Sequence, residues 1–164
     1  MIEKFMAAAI KQAKKAALID ETPVGAVIVL DNKIIARGYN KRETKKNALM
    51  HAEIIAIDKA CKKIGAWRLS ECEMYVTLEP CPMCSGAIIN SRIKKMYFGA
   101  YDKKAGCCGS VTNLFEEGMF NHDVEVQGGI RCEECGSILS EFFKDLRKRK
   151  KREKAALSDN LHHL

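Results

Sequence analysis

The chain has 164 residues, the size of one domain and enough to bury a core without disulfide or metal staples. With 47% hydrophobic and 30% charged residues it is neither disordered nor fibrous, and apolar runs of about six residues, such as Gly25 to Leu30, exclude a membrane-spanning helix. The formal charge is 28 minus 21, or +7, and Lys144 to Lys154 alone, with eight basic and two acidic residues, carries +6 of it, which points to a polyanionic partner.

From Ile2 to Leu18, Ile2, Phe5, Ala9, Ala13 and Ala16 recur at spacings of three and four, predicting an amphipathic helix. Gly25 to Leu30 and Lys33 to Arg37 read as two strands joined at Asp31-Asn32, a pair suited to a tight antiparallel hairpin. A polar connection over Lys41 to Asn47 leads to a second helix, His51 to Ile64, with Ile54, Ile57, Cys61 and Ile64 expected on its inner face and Gly65 as its stop. Glu73 to Thr77 predicts a strand, Pro82 to Ser91 a helix with proline in its first turn, and Lys95 to Gly99 another strand. Residues 101 to 121 are expected to form a loop carrying a short helix, Val124 to Gln127 a last strand, and Arg131 to Lys154 a closing basic helix. Residues 155 to 164 are expected to be a disordered tail. Alternating strands and helices argue for crossover connections and a mixed or parallel sheet covered on both faces.

Two short motifs carry chemistry. His51-Ala52-Glu53 and Pro80-Cys81-Pro82-Met83-Cys84 each open a helix. Cysteines three apart on a first turn share a face, and a helix N-terminus favours their thiolates. One imidazole and two thiolates suit zinc, and three protein ligands leave the fourth tetrahedral position for water, as catalytic sites do. Glu53, two residues after His51, can lie beside the metal without ligating it and relay protons. Cys132-x-x-Cys135 raises a second metal site, which Cys107 and Cys108 would have to reach in space, but its thiols read better as packed side chains, as do those of Cys61 and Cys72. Without a signal-peptide core after Met1-Ile2-Glu3-Lys4, free thiols in a reducing cytoplasm are expected.

H-x-E followed by P-C-x-x-C, with a non-ligating glutamate, is the known pattern of zinc nucleobase deaminases. Over roughly residues 2 to 150 the chain resembles the bacterial tRNA adenosine deaminases of the cytidine deaminase superfamily. Beyond the shared signature, the matching stretches are Glu21-x-Pro-Val-Gly-Ala26, Gly38-x-Asn40, Tyr75 to Ala87, Ser91-Arg-Ile93, Phe98-Gly-Ala-x-Asp102 and Phe142-Phe143 followed by basic residues. The resemblance implies a single deaminase domain over residues 1 to 154, folded as a three-layer α/β/α sandwich around a five-stranded mixed sheet. It implies a homodimer, one zinc per chain held by His51, Cys81 and Cys84, and Glu53 as catalytic proton shuttle. It assigns Asn40 and the Ala52 N–H to the base, and places Asp102 and Phe143 near flanking nucleotides of a tRNA anticodon stem-loop; no DNA or membrane partner is expected. The implied reaction is hydrolysis of wobble adenosine to inosine. The chain departs from the family at Tyr101, where a basic residue is frequent, and at Cys107-Cys108. The alternatives are a deaminase of a free base or nucleotide, and a non-catalytic, zinc-stabilised RNA-binding module.

Overall fold

A computed structural model describes residues 1–163. Four helices, α1 (Ile2–Leu18), α2 (Ala52–Ile64), α3 (Pro82–Asn90) and α4 (Cys132–Leu161), surround strands β1 (Gly25–Leu30), β2 (Lys33–Tyr39), β3 (Glu73–Leu78), β4 (Lys95–Ala100) and β5 (Glu125–Gln127). The strands form one mixed sheet in the order β2-β1-β3-β4-β5. The β1–β2 hairpin turns on Asp31 and Asn32, whose φ of 48° and 59° make the left-handed turn that matches strand twist. β1 is antiparallel to β2 and β3, while β3, β4 and β5 are mutually parallel.

Side-chain alternation divides the core into two layers. Ala26 and Ile28 of β1, Met74 and Val76 of β3, and Met96 and Phe98 of β4 pack with Ala52, Ala56 and Ala60 of α2 and Ile88 and Ile89 of α3. Val27, Val29, Tyr75 and Tyr97 face the other way onto Phe5, Met6, Ala9 and Ile10 of α1 and Cys135 of α4. Tyr75 stacks on Tyr97 at 4.6 Å between centroids and meets Phe5 at 5.2 Å. Each such large apolar side chain contributes about 1.5–3 kcal/mol by leaving water. The three-layer α/β/α sandwich with a five-stranded mixed sheet is present as expected.

Four sequence expectations need correction. The alanines at 52, 56 and 60, not the isoleucines, form the fully buried stripe of α2. Gly38 explains this: a Cβ there would clash with the Ala52 carbonyl, so helix and strand backbones lie too close for large side chains between them. No helix forms between residues 101 and 121 among the described residues; turns and the isolated Cys108–Asn113 bridge replace it. A buried carboxylate, described below, takes backbone N–H groups that a helix would use itself. β5 begins at Glu125 rather than Val124. Finally, α4 continues past Lys154 to Leu161, because its basic and alanine-rich run holds no glycine or proline to stop it. Residues 155–161 of the expected tail are thus helical, and Leu164 lies outside the described residues.

Because β1 alone runs opposite to the other strands, β2, β3 and β4 end at one edge of the sheet. Asn40, the Glu79–Cys81 segment and Tyr101-Asp102 follow those three carboxyl ends. Open α/β sheets bind ligands at this edge.

Candidate active site

Two helix N-termini meet at that edge. His51 is the N-cap of α2, with φ −76° and ψ 152°, and Cys81 is the N-cap of α3, where Pro82 suits the first turn. The His51 Nδ1 lies 3.7 Å from the Cys81 Sγ and 3.5 Å from the Cys84 Sγ. His51, Cys81 and Cys84 form the sole group of metal-ligating side chains among the described residues whose donor atoms all lie within 4.8 Å of one another. Cys132, Cys135, Cys107 and Cys108 form no second group there; Cys135 instead packs beneath Gly99.

The electrostatics favour a cation. The Cys84 thiol hydrogen-bonds to Cys81 and holds the Cys81 thiol down to about 4, against burial, with His51 assisting. The same bond, with burial, pushes Cys84 up. His51 is raised by its hydrogen bond to Cys81, which outweighs the lowering effect of burial. A thiolate, a proton-sharing thiol and an imidazole are a donor set that exchanges its protons for a soft divalent ion.

Glu53 is buried at 4% exposure, and its Oε2 has no hydrogen-bond partner. Burial raises its pKa, against a backbone hydrogen bond and His51 that lower it. An orphaned buried carboxylate oxygen costs stability unless something present in the working state satisfies it. Beside the His51–Cys81–Cys84 cluster, a metal and its water are such partners, so the residues fit a zinc site.

The cluster opens into a cavity of about 650 Å³ whose lining includes Asn40, Ala52, Glu53, Tyr101, Asp102 and Phe143. All the predicted site residues are therefore brought together. Asn40 is buried; its Nδ2 donates to the Thr22 carbonyl and its Oδ1 accepts from the Arg42 N–H, at 3.2 Å each. One amide hydrogen and one carbonyl lone pair remain for a ligand. The first-turn N–H groups of α2, including that of Ala52, lack acceptors four residues back. The Asp102 Oδ1 accepts from the N–H groups of Lys104 and Ala105, at 2.9 and 3.2 Å, folding a turn at the rim. Phe143 is 40% exposed, so it belongs to the rim and not to the core.

Sequence reasoning missed two carboxylates that hold the walls. Glu79 is 1% exposed and accepts from the N–H groups of Asp102, Cys108 and Ser110 and from the Ser110 hydroxyl. Burial pushes its carboxyl up, but those bonds, led by the Ser110 hydroxyl, outweigh it and hold the pKa below 4.5. Glu21, also 1% exposed, accepts from the Thr44 N–H and ties down the loop after Asn40. For Glu79, an acid placed where an apolar strand enters a loop was the available signal. A second furrow of about 800 Å³, between α1 and α4, is lined by Lys14, Lys148, Arg149 and Arg152 among others and holds none of the metal ligands.

A family model of MafB19-like deaminases matches residues 2–147. A protein of Bacillus subtilis (strain 168) named tRNA-specific adenosine deaminase is 52% identical over 157 residues, covering 96% of this chain and 98% of its own. A Haemophilus influenzae protein of the same name is 47% identical, over 94% of this chain and 90% of its own. A structure from a study of A-to-I editing by tRNA:A34 deaminases at the wobble position of transfer RNA is similar at a TM-score of 0.80. It is 40% identical, covering 83% of this chain and 99% of that one.

Proposed function

The chain belongs to the MafB19-like deaminases, and from that premise we infer that it converts the wobble adenosine of tRNA to inosine, with water as co-substrate and ammonia as product. It is an enzyme acting on a C–N bond, since deamination breaks one, and its relatives are named tRNA-specific adenosine deaminases. One observation carries the chemistry: the buried Glu53 carboxylate, with its Oε2 unpartnered, beside the His51–Cys81–Cys84 cluster at the floor of a cavity.

We assign one zinc per chain to His51, Cys81 and Cys84; when bound, it supplies the Lewis acidity that makes water nucleophilic near neutral pH. Glu53 accepts a proton from the attacking water and delivers it to the adenine ring nitrogen; it then takes the proton of the hydroxyl added at carbon six and passes it to the amine, which leaves as ammonia as the carbon–nitrogen bond breaks and the carbonyl forms. Its burial favours the protonated form that delivery requires. The free amide hydrogen and lone pair of Asn40 and the Ala52 N–H orient the base. Asp102 and Phe143 meet the neighbouring nucleotides, and the cations of α4 attract phosphates independently of sequence. A loop base is extruded more cheaply than a duplex base, which suits an anticodon loop.

We further place the protein in the cytoplasm as a homodimer. Thiolate ligands need a reducing compartment. No helix among the described residues is long and apolar enough to cross a membrane. The exposed Met119 and Phe120, adjacent apolar side chains in the loop before β5, support self-association.

The test is inosine formation by zinc-loaded protein on an anticodon stem-loop with a wobble adenosine, beside free deoxycytidine monophosphate, cytosine and guanine. Conversion of the stem-loop alone is expected. Conversion of a free base or nucleotide alone would keep the chemistry and overturn the substrate.

A further inference from the structure

We propose that Tyr101 is a specificity-determining residue: its ring stacks on a nucleobase adjacent to the deaminated adenosine. The proposal rests on the RNA reading above. Tyr101 follows β4 and lines the same cavity as His51 and Cys81, yet 55% of it is exposed, enough for a face of its ring to meet a ligand.

That face is held in place from three sides. Phe98, itself buried, meets the Tyr101 ring edge-on at 5.1 Å and 88°. Gly129, at φ 84°, lies beside its hydroxyl, where a Cβ would stand 3.4 Å from the oxygen. The next residue in the chain, Asp102, donates its N–H to the Glu79 carboxylate at 2.9 Å. A ring fixed before the ligand arrives loses little rotamer entropy on stacking, and every base has a π-face to offer it. Lys103 and Lys104, which follow in the chain and also line the cavity, add charge for the adjoining phosphates. An aromatic followed by cations is therefore built into this loop, as Phe143 and its following lysines are built into α4.

The experiment uses the full zinc-loaded protein and stem-loops with 2-aminopurine in place of each neighbour of the wobble adenosine in turn, a base whose fluorescence is quenched by stacking. Wild type should quench one of the two probes on binding. Tyr101→Ala should abolish that quenching and raise KM by about ten- to a hundredfold, while kcat changes less than threefold. Tyr101→Phe should restore both the quenching and most of the affinity, since the ring and not the hydroxyl is used. Wild-type turnover with no KM change in Tyr101→Ala would overturn the stacking role and leave the RNA reading intact. Loss of kcat or of zinc in that variant would overturn it as well, since the residue would then serve the floor of the site. No quenching and no inosine with wild type would overturn both.

Discussion

The floor and the rim of the cavity are built by different means. The floor is local: His51 and Glu53 lie in one first turn, Cys81 and Cys84 in another, and each helix start places its own side chains. The rim is remote: residues 102–110 take their shape from Glu79, a carboxylate more than twenty residues earlier. Phe143 reaches the cavity from a helix that enters only after the last strand. Short motifs thus set the metal-fitting cluster, and tertiary folding sets the rim of the cavity.

Substitutions on the floor should have the largest effects and should separate metal binding from turnover. Glu53→Ala is expected to keep zinc by elemental analysis while kcat falls at least about a thousandfold. Because the lost carboxylate is buried with its Oε2 unpartnered without metal, the apo variant should unfold at a temperature close to that of the apo wild type. Cys84→Ala should lose the metal outright. A tightly held zinc in Cys84→Ala, or full turnover in Glu53→Ala, would break the division of labour within the floor.

The rim should answer in affinity. Truncation after Phe143 removes the eight basic residues of Lys144–Lys154. Beyond Cys135, α4 has no fully buried residue, and its distal link is the solvent-exposed Arg149–Asp20 pair to the turn after α1, so little stability should go with it. KM for the stem-loop should rise by about tenfold or more, and the slope of log KM against log salt should flatten as phosphate contacts disappear. An unchanged slope would show that α4 serves the fold and not the RNA.

These two regions also differ in how far the sequence exposes them. The His51–Cys81–Cys84 cluster, the Glu53 beside it and the presence of every strand were readable because each depends on spacing within a few residues. The burial face of α2 was not, since it turns on Gly38, a residue of another element that lets alanines approach the sheet more closely than the isoleucines could. Nor was the 101–121 segment: its residues permit a helix, and only a distant acid decides otherwise. The end of α4 was misplaced for a simpler reason, as high helix propensity continues the helix beyond the point where packing stops requiring it.

Glu79 sharpens the comparison because it stands between the two regions, two residues before Cys81 of the metal-fitting cluster and bonded to the rim. If it belongs to the rim, Glu79→Gln should retain zinc and most of kcat, with KM up by a few-fold. Its amide can satisfy only part of the donor set that the carboxylate accepts, so hydrogen exchange should quicken at Asp102, Cys108 and Ser110. The pH dependence gives an independent handle. Since folding lowers the Glu79 pKa, its stabilising contribution is complete above the ordinary carboxylate value of 4.5 and is lost as pH falls through the lower folded value. Wild-type exchange in residues 102–110 should therefore accelerate at acid pH beyond the intrinsic chemistry, and Glu79→Gln, already released, should show no such step. If instead the substitution strips zinc at neutral pH while the 102–110 amides stay protected, the carboxylate braces the metal turn, and the line between floor and rim must be redrawn on the other side of Glu79.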